Sequence, residues 1–394
     1  MQVVVYRAYK RWAKDVFESD RATIIIKIGL IVVIIGNVLF YPRFLISSFN
    51  LESTALIQFL MVKPGGLYFA SIFVLFLGVL THSFIQAIRG FRARSKTSPK
   101  TKDTSKEGEK KLVSRRNFIK TTGMVAFTAP FIITTGLSAA THKNFRITQQ
   151  TLYYPNLPSG LEGLRIVHFS DIHSGMYMNQ SQVQNIFEIV NSRNPHLVTI
   201  TGDFVDSNVA EIPNVSNSVN MLKTEYGVFG CPGNHDHYAS LRALSDALKG
   251  TKMNLLVNSS EVLTVNGEPV SIMGVDDAGI GARNFADINR AVAGAEKDSF
   301  RILLSHRPDL FDESEVHKID LTLAGHTHGG QIAFNAGPLK LYPIDFFQKY
   351  SRGHYSKGNR QLYVNVGVGL VAAPIRLVRP EITELTLTSD PGKA

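Results

Sequence analysis

Apolar and polar positions alternate in two different ways along the chain. From Thr23 to Tyr41 the apolar positions are nearly unbroken, with Lys27 the one charge, and Leu67 to Ile88 is a second such run without any charge. Crossing the hydrocarbon of a bilayer takes roughly 20 apolar residues. The pattern therefore predicts two transmembrane helices, at about 23–41 and 67–88. Beyond residue 142 the apolar runs are short and each ends in polar residues, which predicts buried strands feeding loops. Such runs are Leu164 to Phe169, Leu197 to Ile200, Val228 to Cys231, Arg301 to Leu304 and Ile319 to Leu323. Asn179 to Asn191 is amphipathic and predicts a helix. Asn266-Gly267 predicts a hairpin turn ahead of a strand over Val270 to Val275. Leu362 to Val366 and Glu381 to Leu387 are expected to complete a second sheet.

Charge divides the chain at the same place. The net charge is +10. Residues 1–141 hold 20 Lys/Arg against 7 Asp/Glu, and residues 142–394 hold 22 against 25. The mildly acidic C-terminal region loses the footprint of a nucleic-acid binder, and no nucleic-acid partner is expected. Arg7, Lys10, Arg11, Lys14 and Arg21 precede the first apolar run, only Arg43 and Lys63 separate the two, and Arg89 to Lys120 carries twelve Lys/Arg. The excess of basic residues on cytoplasmic flanks then places the N-terminus and the 89–120 segment in the cytoplasm. Residues 1–92 form a membrane anchor in this reading, and 93–117 a basic flexible linker, since they have almost nothing apolar to bury. Residues 118–141 follow Ser114-Arg115-Arg116 and are moderately apolar. They resemble a twin-arginine export signal, or equally form a third span with a basic flank. Both readings put residues 142–394 on the extracytoplasmic side of the cell (cytoplasmic) membrane of a multi-pass protein.

The candidate chemistry lies where the short strands end. The first is followed by Ser170-Asp171-Ile172-His173, the second by Thr201-Gly202-Asp203 and the third by Pro232-Gly233-Asn234-His235-Asp236. The fourth is followed by Ser305-His306-Arg307, and the fifth by Ala324-Gly325-His326-Thr327-His328-Gly329-Gly330-Gln331. The carboxyl ends of strands are where α/β sheets gather ligands into one crevice. Carboxylate, amide and imidazole together suit Mn, Zn or Fe better than a soft thiolate site would. Cys231, the only cysteine, excludes an intrachain disulfide and a cysteine-based metal centre.

These motifs, in this order over about residues 160–390, resemble the calcineurin-like metallophosphoesterase superfamily. The wording Gly-Asn-His-Asp-His-Tyr and Ala-Gly-His-Thr-His-Gly-Gly-Gln is similar to its bacterial membrane-anchored or exported branch. The resemblance implies an α/β fold, a four-layer α-β-β-α sandwich of two mixed sheets, here preceded by transmembrane helices. It also implies two divalent metal ions. Asp171, His173 and His328 would bind the first, Asn234, His306 and His326 the second, and Asp203 would bridge them. His235 would be the acid beside the site, with Asp236 orienting it through a carboxylate–imidazole hydrogen bond. The implied reaction is hydrolysis of a phosphodiester, phosphomonoester or pyrophosphate bond. Tethering at a membrane adds a lipid-linked substrate, such as a UDP-diacylglucosamine-type glycolipid, to the soluble ones. The reading from another class is a non-catalytic, metal-retaining membrane binding or sensor protein.

Other residues carry less. His168 is expected to be a packed strand histidine, Asp206 a loop hydrogen-bonding residue, and Asp276 and Asp277 charged loop residues. His237 could meet substrate or solvent, and Arg307 a phosphate or a surface ion pair. The aromatic stretch Gly337 to Tyr355 could wall the metals, face a membrane, or pack on the sheet as an ordinary loop.

Overall fold

In the computed structural model, the described residues are 144–394 apart from 176, 280–283, 332–333, 337–338, 372–375 and 394, together with 2–16 and scattered positions between 23 and 34. The chain divides into two units, Met1–Ala139 and Ala140–Ala394. In the first, helix α1 spans Gln2–Val16. The expected spans at 67–88 and 118–141, the 93–117 linker and most of 23–41 lie outside the described residues. Among the described residues no helix is long and apolar enough to cross a membrane.

The second unit holds two six-stranded mixed sheets. The first comprises β1 (Arg146–Tyr153), β2 (Arg165–Phe169), β3 (Leu197–Thr201), β4 (Val228–Cys231), β5 (Met253–Leu255) and β14 (Glu381–Thr388), in the order β1-β14-β2-β3-β4-β5. Strands β2 to β5 run parallel, and β14 is antiparallel to β2 and parallel to β1. The second comprises β6 (Ser259–Val265), β7 (Glu268–Gly274), β8 (Phe300–Leu304), β9 (Leu321–Ala324), β12 (Gly353–Lys357) and β13 (Arg360–Val364), in the order β12-β13-β9-β8-β7-β6. Its four central strands are parallel and its two edges antiparallel. A two-stranded ribbon of β10 (Phe334–Ala336) and β11 (Leu339–Leu341) stands apart.

Successive side chains on a strand face opposite ways, and that alternation builds the layers. Ile166, Leu197 and Phe229 of the first sheet meet Ile272, Ile302 and Leu321 of the second in a shared core. Their neighbours Val167, Val198 and Val228 face outward, against Val183, Ile186 and Val190 of α2 (Gln180–Asn191) and Leu244 and Leu248 of α5 (Leu241–Leu248). α3 (Ile212–Ser216) joins that layer through Ile212 and Val215. On the far side, Met273 and Leu303 lie under Ile288 and Ala291 of α6 (Ile288–Ala293). The result is the α-β-β-α layering. Removing one such Leu or Ile side chain to Ala typically costs about 2–5 kcal/mol.

Local signals set the boundaries. Asn179 and Gln182 cap α2 reciprocally, the Gln182 N–H donating to Asn179 Oδ1 at 3.1 Å and the Asn179 N–H to Gln182 Oε1 at 2.9 Å. That capping box fixes the first turn. Asn266 and Gly267 both take positive φ and close the β6–β7 hairpin. One expectation is corrected: Glu381–Thr388 does not join the second sheet. After β13 the chain crosses over the strand ends, where Val368 N–H donates to Ser170 O and Gly369 N–H to Asp171 O. β14 then enters the first sheet between β1 and β2, with Leu385 and Leu387 in the shared core and Ile382 on the outer side.

Candidate metal centre

Five parallel strands, β2, β3, β4, β8 and β9, end at one edge of the sandwich, and the loops there are tied backbone to backbone. The Asp171 N–H donates to Gly202 O at 3.0 Å, the His173 N–H to Asp203 O at 2.9 Å, and the Gly325 N–H to His306 O at 3.0 Å. Asp171, His173, Asp203, His326 and His328 all take positive φ, between 45° and 71°. A left-handed conformation costs a non-glycine residue about 1–2 kcal/mol. Here it turns the side chain sharply out of the strand direction into a common space.

Two groups form in that space. In the first, His328 Nε2 lies 3.3 Å from Asp171 Oδ1 and 3.1 Å from His173 Nε2. In the second, His306 Nε2 lies 3.2 Å from Asp203 Oδ2 and 3.1 Å from His326 Nδ1. Asp203 Oδ2 is also 3.5 Å from His173 Nε2, so one carboxylate oxygen faces both groups. Asp203, His173 and His235 form a third convergent set.

Neighbouring groups hold several of the remaining polar atoms of these side chains. The Ser170 hydroxyl and the His326 N–H donate to Asp171 Oδ2, leaving Oδ1 turned inward. His306 Nδ1 is 2.9 Å from Thr201 O, so that nitrogen donates and Nε2 is the ring atom turned to the site. His173 Nδ1 faces Asp206 Oδ1 at 3.4 Å. The His235 Nδ1–H donates to the Asp206 carbonyl, which leaves its Nε2 free.

Electrostatics favour a cation. Burial pushes the Asp203 carboxyl up, but His306, His235 and His173 more than offset this and hold it well below the usual range. Burial lowers His306, and Asp203 reverses that, to about 10. His326 is lowered to about 3 by burial, His306 and Arg307, and burial lowers His328 to about 4. Those two imidazoles are thus neutral, the form that binds metal. Asp171 Oδ1 and Asn234 Oδ1 are buried acceptors with no hydrogen-bond donor. A divalent ion would take the place of the proton that Asp203 holds on His306, and this oxygen and imidazole set fits such ions.

The model of the family described as calcineurin-like phosphoesterase matches residues 164–330, the span from the start of β2 to just past His328. The chain is 30% identical over 294 residues to the uncharacterized metallophosphoesterase YkuE of Bacillus subtilis (strain 168), covering 71% of this chain and 99% of that protein. The chain belongs to the calcineurin-like phosphoesterase family. It is also 34% identical over 229 residues to an uncharacterized metallophosphoesterase of Helicobacter pylori (strain J99), covering 57% of this chain and 60% of the relative. A zebrafish (Danio rerio) protein, described as a transmembrane protein with metallophosphoesterase domain, is 29% identical, with 59% of this chain and 54% of that one covered. The chain is accordingly a phosphoester hydrolase whose site takes divalent metal ions.

Within this phosphoesterase the other sequence candidates take definite places. His168 is buried, with Nδ1 at 3.1 Å from Thr199 Oγ1 and Nε2 at 3.2 Å from Ala324 O, and it joins the two sheets behind the site. Asp236 does not orient His235. Its carboxylate accepts from the N–H groups of Asp203, Gly233, Phe204 and Val205, at 2.8–3.3 Å, and so pins the loop that carries Asp203. As the third residue of α4 (Asn234–Ala239), it reaches back over the helix start to the Gly233 N–H. The group beside His235 is Asp206, whose Oδ1 is 3.8 Å from Nδ1 in addition to the carbonyl contact.

Asp276 and Asp277 are buried rather than free loop charges. Asp276 Oδ1 is 2.6 Å from His237 Nε2, and Arg307 Nε donates to Asp277 Oδ1 at 2.8 Å. Arg307 Nη1 also reaches His326 Nε2 at 2.8 Å, so its ion pair is not a surface one. Arg376 had no signal in the sequence. It is fully buried, and its guanidinium donates to the carbonyls of Val366, Gly367, Gly369 and Val378, bracing the crossover that covers Asp171. Cys231 is buried in the shared core, as expected. Of the aromatic stretch, Tyr350 packs on Phe311, while Phe346 and Phe347 are exposed.

Proposed function

We propose that the chain is a membrane-anchored, dinuclear-metal phosphoesterase with its catalytic unit outside the cytoplasm. The observation that carries the site assignment is Asp203 Oδ2, set between His173 Nε2 and His306 Nε2 at 3.5 and 3.2 Å. In this reading Asp171, His173 and His328 would hold one ion, Asn234, His306 and His326 the other, and Asp203 would serve both. Two divalent ions held there, Mn, Zn or Fe, would supply a water acidic enough to ionise near neutrality and positive charge for the phosphoryl oxygens. His235, with Nδ1–H held by the Asp206 carbonyl and its ring 4.5 Å from that of His173, has Nε2 left to carry a proton. Protonated there, it gives its proton to the departing oxygen, a role typically worth about 10²–10⁴-fold. Asp236 keeps the Asp203 loop in place.

The anchoring rests on the apolar runs at 23–41 and 67–88, and on the basic flanks that orient them. The relative described as a transmembrane protein with this domain supports it. A substrate whose phosphate is lipid-linked, a glycolipid or lipid pyrophosphate, fits an enzyme tethered to a bilayer. The test is hydrolysis of bis-p-nitrophenyl phosphate by the detergent-solubilised full chain, with Mn²⁺, Zn²⁺ or chelator. We expect metal-dependent turnover that Asp203→Ala lowers by more than about 100-fold, beyond the loss typical of an outer partner of a ligand. Asp203→Ala should also release bound metal. Equal metal content and turnover in the two proteins would sink the assignment.

A further inference from the structure

The catalytic unit receives its chain at the same edge where the site opens. β1 starts at Arg146, paired with Glu381 at the start of the parallel strand β14. β14 in turn is antiparallel to β2, with Thr383 opposite His168. Since β2 runs toward Asp171, the beginnings of β14 and β1 lie level with the metal-ligand loops. Hydrogen bonds agree: Glu381 N–H donates to Gly367 O, and Arg379 Nη2 to Asn144 Oδ1 at 2.5 Å. The moderately apolar stretch 121–140 ends four residues before Asn144. Four residues reach at most about 14 Å.

The exposed aromatic side chains share that edge. Among the described residues of the catalytic unit they are Tyr238 (60% exposed), Phe285 (49%), Phe346 (77%) and Phe347 (84%). Tyr238 lies 5.0 Å from the His235 ring. Phe285 stacks on His237 at 4.7 Å, beyond the carboxyl end of β7. Phe346 ends the turn Pro343–Phe346 and Phe347 follows it; Ile344 of that turn packs on Gly330, two residues from His328. The opposite edge, by contrast, exposes Val316 (81%) in the connection into β9 and, among the described residues, no aromatic side chain.

We propose that this edge docks on the lipid bilayer, with Phe346 and Phe347 entering the interface, so that phosphate reaches the metal centre from the membrane side. The chain is delivered to this edge within a few residues of an apolar stretch. Aromatic rings at headgroup depth are the usual anchors of such a surface. A phosphate carried on a lipid headgroup would meet the site there, which narrows the substrate class to lipid phosphates. The inference rests on the anchored reading given above.

Depth-dependent quenching tests it with the full chain in phosphatidylcholine vesicles whose acyl chains are brominated or plain. In a Trp12→Phe background, which removes the one native tryptophan, a single tryptophan is introduced by Phe347→Trp or by Val316→Trp. Both positions are exposed, so folding is not at stake. We expect brominated lipid to quench the Phe347→Trp protein and to leave the Val316→Trp protein unchanged. If the protein floats with the vesicles and Phe347→Trp is unquenched, or Val316→Trp is quenched as strongly, the docking face is wrong while anchoring stands. If the chain does not float with vesicles, the anchored reading falls and this inference with it.

Discussion

The two edges of the same pair of sheets differ in which residues are forced into left-handed backbone. At the edge away from the site, positive φ falls on Asn194, Asn266 and Lys318 and on glycines such as Gly163, Gly227 and Gly250. These are ordinary turn positions, where asparagine and glycine are tolerated. At the site edge it falls on Asn258, Gln331 and glycines such as Gly202 and Gly367 too, but also on Asp171, His173, Asp203, His326 and His328, the residues whose donor atoms converge. Strain of about 1–3 kcal/mol per residue persists only where surroundings over-determine it. Backbone ties between loops and the Asp236 carboxylate supply that determination at the site edge. One edge reverses the chain; the other is built to hold side chains in place against their backbone preference.

A matched pair of glycines breaks or sharpens this contrast most strongly. Gly202 and Gly250 have φ of 78° and 77°. A Cβ at Gly250 would meet nothing within 4 Å, whereas at Gly202 it would lie 2.6 Å from His306 Nδ1 and 2.8 Å from Gly233 Cα. Gly250→Ala should cost only the backbone strain, about 1–2 kcal/mol, with turnover unchanged. Gly202→Ala adds steric overlap of about 1–3 kcal/mol, for a loss of about 2–5 kcal/mol with the backbone strain, and should displace His306 and abolish hydrolysis. Denaturant midpoints and turnover of both proteins check this. Equal costs would mean the site edge is no more tightly determined than the other.

Asp236→Ala comes next. Four backbone donors lose their acceptor, and an unsatisfied buried donor costs about 1–3 kcal/mol before water enters. We expect a loss of about 2–3 kcal/mol together with weaker metal retention. Asp206→Asn, which changes the carboxylate facing Nδ1 of both His173 and His235, should lower turnover about 10–100-fold with little change in the unfolding midpoint. The opposite pattern would restore Asp236 as the partner of His235.

That pair also marks how far the sequence is legible. Each metal-ligand candidate follows an apolar run directly, so strand position alone placed Asp171, Asp203, Asn234, His306 and His326 at one edge. The choice between Asp206 and Asp236 depends on which way a helix start points a side chain, and adjacency in sequence favours the wrong one. The sheet that receives β14 was unreadable for a similar reason: its alternation buries both faces and fits either sheet. Arg376 is satisfied by carbonyls of a crossover whose path no local pattern reveals. Asp276 and Asp277 look like loop charges until His237 and Arg307 arrive from other elements.

A smaller effect belongs to the opposite edge. Lys318 holds φ of 52° in the connection into β9, and no ligand follows it directly. Lys318→Gly removes about 1–2 kcal/mol of left-handed strain and adds about 0.5–1 kcal/mol of chain entropy. A net gain of about 0.5–1 kcal/mol in stability, with turnover unchanged, is the expected result. A loss of stability would show that strain at this edge is supported as it is at the other.

The smallest effect concerns charge at the site rim. The hydrogen bond from His237 to Asp276 raises the imidazole pKa above its ordinary 6.5, against burial, which lowers it. The folded state therefore binds this proton more tightly than the unfolded chain does. The stabilisation is complete below pH 6.5 and is lost as pH rises through the higher folded value. Because the ring is partly solvated, the pair contributes only about 0.5 kcal/mol. Asp276→Asn should lie below the native protein in unfolding midpoint at acidic pH and approach it as pH rises. A gap that stays constant with pH would mean that Asp276 acts through its hydrogen bond to the Asp277 N–H, holding the loop that positions Arg307, and not through the charge on His237.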